Sequence, residues 1–163
     1  MKTNSRTLVG AAPDLDAIDR QILSLLQSNA KISQAKVAEA VGLTAPSVNE
    51  RIRKLERAGY IRGYVALLDE RKLGHDITAF VEIFIEHPRY EAGFIESVKD
   101  LDEILECHHI TGEFSLLLKV RVTDMGAFRR LLIEKLNTVR GVRQTKTLIV
   151  LATAKEQHLI KVA

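Results

Sequence analysis

The chain has 163 residues, 46% of them hydrophobic, which is enough to bury a real core and excludes a disordered tail. A formal charge of +3 is compatible with a polyanionic partner without establishing one. A single cysteine, Cys107, excludes an internal disulfide and suits a reducing compartment, and no stretch approaches the roughly 20 apolar residues of a membrane span, so a cytoplasmic protein is expected, away from membranes.

Charge is unevenly placed. Through Tyr64 there are 10 Lys+Arg against 6 Asp+Glu, while the remainder holds 14 against 15, so a nucleic-acid contact is expected in the front part. Residues 1–13, with too short an apolar run for a signal peptide, read as a flexible arm. From Asp14 the period becomes helical. Leu15, Ile18, Ile22 and Leu25 fall on one stripe, with Asp14, Asp16 and Asp19 at the end where the helix dipole favours acid. A second, short helix follows Ser33, with Val37, Ala38 and Val41 inward and Gly42 as its stop. Thr44 caps a third helix whose first turn contains Pro46 and whose seam is Val48, Ile52 and Leu55.

Asn49, Glu50, Arg53, Lys54 and Arg57 point away from that seam. Helix, short helix, glycine turn and helix form a helix-turn-helix, whose last helix enters the DNA major groove. Ser47, Asn49, Glu50 and Arg53 suit base edges: Asn can pair with adenine, Arg with guanine, and Glu can accept from cytosine. Lys31, Ser33, Gln34, Lys54 and Arg57 suit phosphates, and Thr44, Ala45 and Pro46 form the helix entrance beside them. Arg51 is included in the DNA-facing set, although it lies nearer the seam, where pairing with an acid is the alternative. Glu50 is either a base reader or a partner for Arg53 or Lys54. A merely solvated helix flank is the competing reading of all four bases.

After Gly59 the period changes. Residues 61–76 read as a strand or extended linker followed by a loop turned at Gly74. "ITAFVEIFIE" alternates as a strand, closed by Pro88. Phe94, Ile95, Val98 and Leu101 have helical spacing. "ILECHHIT" and "FSLLLKVRV" are strands joined near Gly112; Met125, Phe128, Leu132 and Leu136 mark a helix, and "VRQTKTLIVLA" is the last strand. The order βαββαβ defines a ferredoxin-like domain over 77–156, with both helices on one face of a four-stranded antiparallel sheet and 157–163 as a tail. Both rows of its strands carry large apolar side chains, so a second copy is expected to cover the open face. Cys107, His108 and His109 resemble metal ligands, but neighbours on a strand point to opposite faces and no second cluster completes a site. Neither a metal nor a cofactor is expected. The histidine pair is read as lining the effector cleft or stacking between subunits; His75, His87 and His158 have no supporting constellation.

"LDAIDRQILSLLQSNAKIS", "KVAEAVGLTAPSVNERIRKLERAGYIRGY", "HHITGEFSLLLKVRV" and "RGVRQTKTLIVL" together resemble the Lrp/AsnC family of regulators, in the family's order over residues 14–156. The resemblance implies an α+β chain with a winged-helix-like head over 14–60 and a ferredoxin-like domain that binds ligand and dimerises. It further implies dimers assembling to tetramers or octamers, and an amino-acid-like effector bound between subunits at Thr111, Gly112, Glu113, Phe114 and Ser115 with Met125. Many members carry an acid where this chain has Ser115, which removes one partner for an effector's ammonium group. The expected function is sequence-specific transcription regulation, without catalysis. A DNA organiser of weak sequence preference and a sirohaem-decarboxylase-like enzyme on the same scaffold are the rivals.

Overall fold

The structure is a computed structural model that describes residues 14–162; the arm at 1–13 lies outside the described residues. Two compact units are present. Among the described residues, 14–67 together with the tail from Glu156 form one, and Leu68–Lys155 forms the other. The tail thus joins the front unit rather than the domain from which it emerges.

In the front unit α1 spans Ala17–Ser28, α2 Gln34–Val41 and α3 Ala45–Arg57. Each begins on a side chain that satisfies an otherwise unpaired backbone amide: Asp16 accepts from Asp19 N, Ser33 from Lys36 N, and Thr44 from Ser47 N. Gly42 takes φ of +68°, a conformation a side chain would oppose, and this lets Leu43 N donate to Ala38 O at 3.0 Å and closes α2. Ile22, Val37, Ala38, Val48, Ile52 and Leu55 are buried together. The three from α3 sit at intervals of four and three residues, one face of a helix, and each contributes on the order of 2 kcal/mol by leaving water.

Residues 61–67, expected as a strand or extended linker, form no strand. Strand hydrogen bonds need a neighbour, and a single copy supplies none there; Val65 and Leu67 are left 79% and 72% exposed. The loop that follows turns through Gly74 N to Arg71 O and His75 N to Glu70 O, each 2.9 Å.

The rear unit runs β1 (Ile77–Ile85), a 3₁₀ turn (Pro88–Tyr90), α4 (Glu91–Val98), β2 (Ile104–His109), β3 (Leu116–Val122), α5 (Met125–Arg130) continuing as a π-helical segment (Leu131–Leu136), and β4 (Val142–Ile149). Its sheet is antiparallel throughout, in the order β2-β3-β1-β4. This is the ferredoxin-like arrangement. Ala79, Val81, Ile83 and Ile85 of β1 and Leu116, Leu118, Val120 and Val122 of β3 pack with Phe94, Val98, Phe128, Leu131 and Leu136 from the helices. Period-two alternation dictates this, since only every second strand residue can reach the helices.

The last helix departs from the simple spacing. Met125 is exposed, and Leu131 and Leu136, five apart, are buried while Leu132 is only partly so. The π segment explains it: Asn137 N donates to Leu132 O at 2.9 Å, and one extra residue per turn brings positions five apart onto one face.

The open face is a mosaic rather than a continuous apolar patch. Phe80, Phe84, Leu117 and Leu148 alternate there with Glu82, Lys119 and Arg121. Lys146 Nζ lies 3.0 Å from Glu82, Lys119 Nζ 3.4 Å from Glu106, and Arg121 pairs with Glu70. Phe114 meets Phe84 edge-on with ring centres 6.4 Å apart.

Candidate nucleic-acid interface and effector turn

The expected DNA-facing residues divide by what each already touches. Arg51 is committed elsewhere: its Nη1 lies 2.7 Å from Asp16 Oδ2 and 2.7 Å from Asp19 Oδ1, so it ties α3 to the start of α1. This corrects its place in the DNA-facing set, for a guanidinium held between two carboxylates is already neutralised. The bond raises the Arg51 pKa, with Asp19 the foremost cause. Asp16 is lowered, first by the Asp19 amide and then by Arg51.

Glu50, Arg53, Lys54 and Arg57 are all exposed, and none makes an ion pair among the described residues. Glu50 therefore does not neutralise Arg53 or Lys54 here. Asn49 is half-buried and accepts from Gln34 Nε2 at 3.1 Å, a bridge that holds the start of α2 beside α3. At the entrance of α3, Thr44 Oγ1 and Ser47 Oγ are 2.9 Å apart, while Pro46 is exposed and Ala45 half-buried. Lys31 and Ser33 are exposed before α2. What results is a short rod seated by three apolar residues, with an uncompensated cationic flank.

In the rear unit, Thr111, Gly112 and Glu113 are exposed in the turn between β2 and β3. Among the described residues the amides of Gly112, Glu113 and Phe114 have no acceptor, whereas Ser115 N is used by Ile83 O at 3.0 Å. Phe114 is buried, with Lys146 Nζ 5.7 Å from its ring centre, and so belongs to the sheet's packing rather than to an open pocket. Met125 lies apart from that turn within one copy. It follows the far end of β3, and seven strand residues, about 20 Å, separate it from the turn. One copy cannot bring both to one small effector.

His108 Nε2 is 2.8 Å from Glu106 Oε2, and His109 Nδ1 is 3.8 Å from Glu91. Among the described residues no three His, Cys, Asp or Glu side chains converge as for a metal ion. One contact had no signal in the sequence. Gln27 donates from Nε2 to Ile160 O at 2.7 Å and accepts at Oε1 from Ile160 N at 2.9 Å, so its amide grips the tail as a neighbouring strand does.

A capped three-helix head with a glycine turn and a free cationic flank, joined to a ferredoxin-like domain, defines the class of helix-turn-helix DNA-binding proteins with an appended regulatory domain. Residues 15–62 match the winged helix-turn-helix DNA-binding model, and residues 78–160 match the Lrp/AsnC ligand-binding domain. The leucine-responsive regulatory protein of Escherichia coli K12 is 43% identical over 147 residues, covering 89% of this chain and 90% of that protein; that of Klebsiella pneumoniae is equally similar. Among solved structures, AsnC of E. coli has a TM-score of 0.85 at 30% identity, covering 90% of this chain and 98% of that one. A transcriptional regulator of Neisseria meningitidis in complex with L-Met has a TM-score of 0.84 at 32% identity, covering 89% and 95%. The chain belongs to the Lrp/AsnC family and is a DNA-binding transcription regulator of that type. No described helix is long and apolar enough to cross a membrane.

Proposed function

We propose that the protein is a cytoplasmic, sequence-specific regulator that binds duplex DNA through paired heads and responds to an amino-acid-like effector held between copies. The observation that carries the DNA reading is the flank of α3: Arg53, Lys54 and Arg57 are exposed and without an ion partner among the described residues. Ser47, Asn49, Glu50 and Arg53 meet base edges, and Lys31, Ser33, Gln34, Lys54 and Arg57 hold phosphates, with Thr44, Ala45 and Pro46 at the groove's edge. Two recognition helices about 34 Å apart span one turn of DNA and read a pseudo-palindrome.

Self-association rests on two surfaces. The strand-free segment with Tyr64, Val65 and Leu67 exposes unpaired backbone, and the open sheet face presents Phe80, Phe84, Leu117 and Leu148. A second copy covers both, and dimers assemble further, to tetramers or octamers. The free amides of Gly112, Glu113 and Phe114 receive an effector's carboxylate, while a Met125 contact comes from another copy, because the strand's length separates the two within one. That a related regulator is known with L-Met supports an amino acid as the ligand class. The effector acts by its differential affinity for two assemblies or head spacings. No catalytic role is assigned: the relatives are regulators, and the cationic rod serves DNA.

Binding to a selected target and to random DNA, measured at several salt concentrations, tests this reading. A preference that persists across the salt range supports it; parallel, equal salt dependence for all sequences turns the protein into a phosphate-bound DNA organiser.

A further inference from the structure

Two arginines far apart in sequence converge on one aromatic ring of the rear unit. The guanidinium carbons of Arg89 and Arg140 lie 4.7 Å and 5.2 Å from the ring centre of Tyr90. Arg89 Nη2 also donates to Tyr90 Oη at 2.8 Å. Both arginines are exposed, and neither has a carboxylate within ion-pair distance among the described residues.

The platform is built, not incidental. Tyr90 ends the 3₁₀ turn and packs its half-buried side chain against the core. The start of β4 presses on it: a Cβ on Gly141 would fall 2.4 Å from Tyr90 Cβ, and Gly141 has φ of +92°, so only glycine lets the backbone lie there. His87 Nδ1 accepts from Arg89 N at 3.2 Å and fixes the turn that presents the arginine. The neighbouring charges are mixed and none pairs with either arginine. Glu91, 3.8 Å from His109, and exposed Glu86 are the nearby acids, Lys146 lies 3.0 Å from Glu82, and Arg143 adds an exposed cation. Elsewhere in this unit Lys99, Lys119, Arg121 and Lys135 are matched with carboxylates.

Two exposed guanidiniums held against one ring, with no ion-paired carboxylate among the described residues, concentrate positive charge that a nearby anion lowers in energy. The planar forks suit phosphate oxygens, and the open platform lacks the walled cavity that a small effector's side chain needs. We infer that Arg89 and Arg140, held on Tyr90, form a second phosphate-contact site that engages DNA flanking the sequence read by the heads. The inference rests on the DNA-binding function proposed above and extends it. It adds affinity on long DNA without sequence information, as phosphate contacts do.

The test uses the full chain and two duplexes. One is a selected target spanning two half-sites, and the other is the same target with several further helical turns of random sequence on each side. With Arg89→Ala/Arg140→Ala, affinity for the long duplex is expected to fall roughly fivefold for each arginine removed at physiological salt, and its log–log salt slope to shrink by about 0.9 per arginine. Binding to the short duplex stays unchanged, and Arg89→Lys/Arg140→Lys, which keeps the charge but not the planar fork, restores the salt slope and only part of the long-duplex affinity. Unchanged affinity and slope on the long duplex overturn the inference while leaving the head's function intact. Equal loss on both duplexes overturns it in favour of damage to assembly. Loss of an amino-acid response with the slope intact overturns it in favour of a carboxylate site. If the unaltered protein binds neither duplex, the proposed function fails and this site with it.

Discussion

Arg51 Nη1 sits 2.7 Å from Oδ1 of Asp19, a carboxylate buried between α1 and α3, and this pairing separates one base of the recognition helix from its neighbours. Arg53, two residues along, faces solvent with no such partner among the described residues. The same side chain type on one helix therefore has two occupations, one holding the head together and the other available to DNA.

Arg51→Ala is expected to destabilise the head by about 1 to 3 kcal/mol, because it strands the Asp19 charge in a buried place. Urea unfolding followed by far-UV circular dichroism measures it. The acid limb offers a second check. The Asp19 amide, and after it Arg51, hold the Asp16 carboxyl below its ordinary 3.8, so its contribution is complete above that value and is lost as pH falls through the lowered one. In Arg51→Ala that acid-dependent loss becomes shallower.

Arg53→Ala leaves unfolding unchanged within about 0.5 kcal/mol, as an exposed substitution should. Binding to a selected target is expected to weaken by about 1 to 3 kcal/mol, with relaxed selection at one base position. Competition binding against a panel of single-base variants reads this out, and a uniform loss on every sequence reassigns Arg53 to a phosphate.

Gly112→Asp places a carboxylate beside the free amides of the 111–115 turn, where it repels an effector's own carboxylate. DNA affinity without effector is expected to be unchanged and the effector response abolished. Calorimetric titration with a panel of amino acids checks it; an unaltered titration moves the ligand site elsewhere.

Gln27→Ala removes both hydrogen bonds that hold Ile160 to the head. These bonds are exposed, so the cost is expected to stay below about 1 kcal/mol, and the clearer signal is faster hydrogen exchange at the Ile160 amide. Unchanged exchange would mean that the tail is held by something other than this amide.

Much of the head was legible because its signals are local. Ser33 and Thr44 cap amides three residues away, acids mark the start of the first helix, and Val48, Ile52 and Leu55 recur at the helical period, so spacing alone wrote down the three helices and the outward flank of the third. The strands of the rear unit were equally readable, since alternation in residues 116–122 already separates core from open face. The π segment was not legible: it buries Leu131 and Leu136, five apart, and leaves Leu132 partly buried against the same core. The length of β3 sets Met125 apart from the 111–115 turn within one copy, which local spacing did not record.

By itself, then, the sequence determined which segments fold into which elements and which way each one faces, because capping and periodicity act over a few residues. Only the tertiary structure decided which charges are already matched. Arg51 finds its partners 32 and 35 positions away, Gln27 grips a residue 133 positions away, and Arg89 and Arg140 meet on Tyr90. Such pairings depend on how elements pack, and short-range spacing carries no record of them.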